Sequence, residues 1–92
     1  MAEPVGPVDG IQVTVRYFAA ARAAAGADSE VVVLRPGTTV AELVDRIAAS
    51  GSRLATVLER CSYLCDGVAV RDETAPLRGG NTIDVLPPFA GG

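Results

Sequence analysis

The sequence ends Leu86-Pro87-Pro88-Phe89-Ala90-Gly91-Gly92, which places a terminal carboxylate on Gly92. Two glycines carry no side chains, so such an end can enter a channel too narrow for any other residue, with nearly free φ and ψ. Pro87 and Pro88 hold the preceding chain extended, at roughly 3.1 Å per residue in a polyproline conformation. The expectation is a stiff arm with a slim, flexible tip whose carboxylate is the reactive group, and residues 11–86 as its handle. Most chain ends simply fray. The case against fraying is the order of residues: stiff prolines, then Phe89 and Ala90, then bare glycine.

No other residues promise chemistry. There is no His among the 92 residues, and all 8 cations are Arg. The side chain best suited to proton transfer near neutral pH is therefore missing, and so is the lysine of a Schiff base or a phosphate-gripping loop. Cys61 and Cys65 lie four residues apart with no second pair and no His, which argues against zinc. In an extended segment they are too far apart for a disulfide, and free thiols fit a reducing compartment. The expectation is chemistry done to this protein rather than by it, with no catalytic residue, bound cofactor or metal of its own.

A net charge of −3 without a cluster of cations excludes the usual basic footprint of a nucleic-acid binder. No apolar run is long enough to span a membrane, and Met1-Ala2-Glu3-Pro4 lacks the basic and apolar regions of a secretory signal. A cytoplasmic domain with protein partners is expected.

The elements that must position the tail are readable in order. Residues 1–10, with Pro4, Gly6, Pro7 and Gly10, form a loose arm. Ile11 to Phe18 alternates as a half-buried strand, with Phe18 as a large apolar residue at the end of its solvent face. Ala19 to Ala25 suits one or two helical turns capped by Gly26. A strand over 30–35 stops at Pro36-Gly37. Thr39 and Glu42 form a capping box, and Val40, Leu43, Val44, Ile47 and Ala48 make one apolar stripe. Glu42 and Arg46 sit one turn apart, an exposed pair worth ~0.3 kcal/mol, and Gly51 is expected to end that helix. A shorter helix over 53–60 follows. Residues 63–65 and 68–70 flank Asp66-Gly67, a strong hairpin signal. After a polar loop over 71–81 comes a last strand, 82–86, with Ile83 and Val85 inward and Leu86 outward.

This order describes an α+β, ubiquitin-like β-grasp: a mixed sheet of about five strands with one main helix on one face. The domain would cover 11–86, with 1–10 as the arm and 87–92 as the tail. The first and last strands of that fold lie side by side, so Phe18 and Leu86 become neighbours on the uncovered face. Two exposed apolar residues beside the root of the tail suggest a partner-docking patch.

Arg16-Tyr17-Phe18-Ala19-Ala20-Ala21-Arg22 with Gly26 resembles the opening of the MoaD family, the small subunit of molybdopterin synthase. Gly37-Thr38-Thr39-Val40-Ala41-Glu42-Leu43 resembles its helix start, and Gly80 to Gly92 its closing strand and tail. The likeness runs from about Ile11 to Gly92 and is strongest to actinobacterial members of the MoaD/ThiS superfamily. Two positions depart from the family pattern: Asn81, where an acidic residue is usual, and Cys65-Asp66-Gly67, where a Val-Asn type turn is common. Both are expected to matter only to turns.

The resemblance implies a sulfur carrier. An E1-like adenylyltransferase would use ATP to adenylate Gly92, and a persulfide donor would convert it to a thiocarboxylate. The tail, through Gly91, Ala90, Phe89, Pro88 and Pro87, would enter a large subunit and deliver sulfur to the pyranopterin precursor of molybdopterin. Phe18 and Leu86 match positions that the family uses against the large subunit. Two readings share the same tail: a ubiquitin-like protein modifier, and a sulfur carrier for thiamine or cysteine biosynthesis. Leu77-Arg78-Gly79-Gly80 spells the end of ubiquitin but precedes a strand, so it reads as a tight turn.

Overall fold

The computed structural model describes residues 10–88. Strand β1 (Ile11–Tyr17) is followed by α1 (Ala19–Ala25), β2 (Ser29–Leu34), α2 (Val40–Ala48) and α3 (Ser52–Leu58). The chain then makes β3 (Ser62–Cys65), β4 (Val68–Ala69) and β5 (Thr82–Leu86). The five strands form one sheet in the order β2-β1-β5-β3-β4. Only β1 and β5 run parallel; the other pairs are antiparallel. This is the expected mixed β-grasp sheet, with the first and last strands side by side at its middle. Among the described residues no helix is long and apolar enough to cross a membrane.

The core follows from period-two alternation on the strands and period-3.6 stripes on the helices. Val13, Val15 and Tyr17 from β1, Val32 and Leu34 from β2, and Ile83 and Val85 from β5 meet Val40, Leu43 and Ile47 of α2. Ala21 of α1 and Leu54 and Leu58 of α3 complete the same cluster. The main helix α2 therefore shares the inner face with the two short helices expected beside it, which extend its cover. Leu77, inside the segment expected to be a polar loop, is also buried. That segment is tied to the start of α2: Val40 N–H donates to Ala75 O and Ala41 N–H to Glu73 O. Two of the four N–H groups that open any helix are thus satisfied from outside it.

Local chemistry explains most boundaries. Both halves of the Thr39–Glu42 capping box are present at α2. Because Glu42 is committed to that cap, Arg46 is not paired with it, and donates instead to Val33 O, 3.1 Å away. Arg46 so covers part of the free edge of β2, the kind of exposed edge that invites unwanted strand pairing. Gly51 does not end α2, which stops at an Ala49 cap in right-handed geometry; Gly51 instead precedes α3 in extended conformation. Asp66 and Gly67 have φ of 50° and 83°, as a two-residue hairpin of primed type requires. Gly80 has φ of 91° and its N–H bonds to Gln12 O, so Leu77-Arg78-Gly79-Gly80 is a turn, as expected.

Candidate functional site

The parallel β1–β5 pairing builds the site. Its register sets Tyr17 against Val85 and Arg16 against Asp84. Beyond the last ladder pair, Phe18 N–H donates to Val85 O at 3.3 Å, which carries Phe18 level with Leu86. Phe18 is extended (φ −122°, ψ 148°), so its side chain continues the outward alternation of Thr14 and Arg16. Phe18 is 38% exposed and Leu86 is half-buried. The two expected docking residues are therefore brought together on the face that carries no helix.

The chain turns sharply after Phe18. Ala19 has φ of 50°, a left-handed conformation that costs an L-residue roughly 1–2 kcal/mol. The turn sends α1 back over the inner face and leaves Phe18 at the sheet rim. Gly26 closes α1 in left-handed geometry, its N–H reaching Arg22 O. Arg22 itself is solvent-exposed and stands 3.6 Å from Asp28, a surface pair of little energetic weight.

At the other side of the tail root, Pro87 is half-buried and Pro88 exposed. Both line a cleft of about 370 Å³ with Ala20, Thr56, Val57 and Arg60. Pro87 and Pro88 thus leave the sheet between α1 and α3. Phe89, Ala90, Gly91 and Gly92 lie outside the described residues.

One feature was not anticipated. Asp84 stands between inward-facing Ile83 and Val85 and is only 6% exposed, although no helix among the described residues covers its face. Arg16 grips it in a fork, Nε to Oδ1 at 2.6 Å and Nη2 to Oδ2 at 2.9 Å. The hydrogen bond first, and the carboxylate's charge second, raise the Arg16 pKa above its ordinary value. The same guanidinium lies 5.5 Å from the centroid of the Phe18 ring, within cation–π range. Alternation alone puts both residues on the outer face; only the parallel register makes them opposite each other.

Neither thiol forms part of this face. Cys61 and Cys65 are free and half-buried, and burial raises both thiol pKa values.

Residues 15–92 match the ThiS family. The chain belongs to the ThiS family. It is 29% identical over 83 residues to a molybdopterin synthase sulfur carrier subunit of Chlamydomonas reinhardtii, covering 89% of this chain and 100% of that protein. Its fold is similar to a putative molybdopterin converting factor, subunit 1, of Pyrococcus furiosus, with TM-score 0.78 and 25% identity. That likeness covers 86% of this chain and 99% of the other. A chain in a complex of subunits 1 and 2 of the molybdopterin-converting factor from Helicobacter pylori shares the fold at TM-score 0.63 and 24% identity, covering 89% and 100%.

Proposed function

We propose that this ThiS-family protein is the sulfur carrier subunit of a molybdopterin synthase, acting in the cytoplasm. The observation that carries the reading is the level placement of Phe18 and Leu86 by the Phe18 N–H to Val85 O bond, at the root of a Pro-Pro-x-x-Gly-Gly tail. Full-length similarity to a carrier subunit supports it. The Gly92 carboxylate is ionised at neutral pH and a poor acyl donor, so it needs activation. An E1-like partner attaches AMP from ATP to it and releases pyrophosphate. A persulfide sulfur then displaces AMP, and a thiol supplies the two electrons that free the thiocarboxylate. Gly91 keeps the tip slim, Pro87 and Pro88 aim it, and Phe89 with Ala90 forms its shaft as it enters the large subunit. There the thiocarboxylate gives its sulfur to a pyranopterin precursor. Among the described residues no group of three or more His, Cys, Asp or Glu could hold a metal ion.

The test is the intact mass of the chain after incubation with an E1-like enzyme, ATP and a persulfide source. Exchange of one oxygen for sulfur, localised to Gly92 by fragmentation, is the expected result. An unchanged Gly92, or one joined to a lysine of another protein, overturns the reading.

A further inference from the structure

The cross-strand registers sort the open face of the sheet into rows. One row runs Ser29, Arg16, Asp84, Leu64 and Ala69; the next holds Phe18, Leu86 and Ser62. The Arg16–Asp84 pair therefore occupies the middle of the face, beside the two docking residues. Stability does not account for it there. Burying a carboxylate carries a desolvation cost, and apolar residues of similar volume are often as stable as the ion pair they replace. The fork is bidentate, but with the Arg16 side chain half exposed, solvent screens part of its Coulomb gain.

What the pair does offer is a fixed set of donors. A guanidinium has five N–H groups. Asp84 takes two of them, and among the described residues Arg16 makes no other hydrogen bond. The remaining three are held rigid between the carboxylate and the Phe18 ring, with the Arg16 side chain 52% exposed. A partner that covers Phe18 and Leu86 covers these donors too, and unpaired buried N–H groups are costly. Neutral acceptors suit these donors best, because Asp84 already balances the guanidinium charge. A partner carboxylate on the same guanidinium would also face the carboxylate of Asp84, and like charges at a few ångströms in a drying interface repel strongly.

We propose that Arg16, clamped by Asp84, is a specificity-determining residue of the docking face, donating its free N–H groups to neutral carbonyl oxygens of the large subunit. This rests on the carrier reading above. It gives the face a means of choosing partners: a large subunit shaped for a wholly apolar carrier would leave these donors unpaired and bind weakly.

The experiment measures Kd between the full chain and the purified large subunit from the same genome, at low and at moderate salt. The main variant is Arg16→Leu with Asp84→Ala, which removes both charges together and strands neither; its melting curve verifies the fold. The expected result is a Kd higher by on the order of 10- to 100-fold, with the same ratio at both salt concentrations. Arg16→Lys, which keeps the charge but not the fork, is expected to stay weak. Equal or tighter binding by the double variant overturns the proposal. So does full recovery with Lys, or a ratio that collapses with salt, which would mark a carboxylate acceptor. If the wild-type chain does not bind the large subunit at all, the carrier reading falls as well.

Discussion

The Asn81 side-chain amide donates to Asp66 Oδ2 at 2.7 Å, joining the start of β5 to the turn of the β3–β4 hairpin. The same carboxylate accepts from Thr82 N–H through Oδ1, and Asn81 Oδ1 accepts from Arg78 N–H. The two positions at which this chain departs from the MoaD pattern are thus each other's partners. An amide at the turn with a carboxylate at the start of β5 would make a similar bond with its ends exchanged. Converting Asn81 to Asp alone should therefore destabilise the domain by about 1 kcal/mol, the usual worth of one such bond. Adding Asp66→Asn should recover most of that loss. Urea midpoints of the two single variants and the double variant form a cycle that checks the coupling.

Ala19 holds a left-handed backbone at φ 50° directly after Phe18. Ala19→Gly relieves the steric cost but raises the conformational entropy of the unfolded chain, for a net gain of roughly 0.5 kcal/mol. Ala19→Val, branched at Cβ, should destabilise by more than about 1 kcal/mol. Thermal melts of the two variants should move in opposite directions.

Substituting Ser for Phe18 or Leu86 should separate docking from folding. Neither residue is among the fully buried core, so each change should cost less than about 1.5 kcal/mol in stability. Affinity for the large subunit should fall by roughly 10-fold or more, since truncating a large apolar side chain buried on binding forfeits about 1.5–3 kcal/mol. Calorimetric titration of each variant is the check.

Removing Gly91-Gly92 should abolish sulfur loading while leaving the melting curve where it was, because the buried core of the described residues lies upstream. Mass spectrometry after incubation with the activating partner reads the first effect, and circular dichroism the second.

Burial raises the pKa of Cys61 and of Cys65, the latter also through the charge of Asp66. Burial first, then the charges of Cys61 and Glu73, pushes Tyr63 up to about 12. Raised folded-state values mean that folding favours the neutral forms. The associated stability is fully present below the ordinary thiol value of 9.0 and is lost as pH rises through the raised values. Urea midpoints should be level between pH 7 and 8 and fall above 9. At pH 8 the native thiols should alkylate more slowly than those of the urea-unfolded chain.

Local and periodic signals were readable in the sequence because their causes lie within a few residues. The Thr39–Glu42 box, the α2 stripe, the Asp66-Gly67 hairpin and the inward Ile83 and Val85 all formed as their spacing requires. The pairing of the first and last strands followed from element order, and with it the meeting of Phe18 and Leu86. Contacts between segments distant in sequence were another matter. Arg46 chose Val33 O over Glu42 because the cap had already taken the carboxylate. Leu77 is buried, and its loop feeds acceptors to α2, only because the fold lays that loop across the helix start. Arg16 and Asp84 look like two ordinary outward residues, 68 positions apart. Period-two alternation fixes the face of a strand on which a side chain stands, but not which residue of the neighbouring strand lies opposite. That register belongs to the assembled sheet, and it alone turned two outward-pointing charges into a bidentate clamp in the middle of the open face.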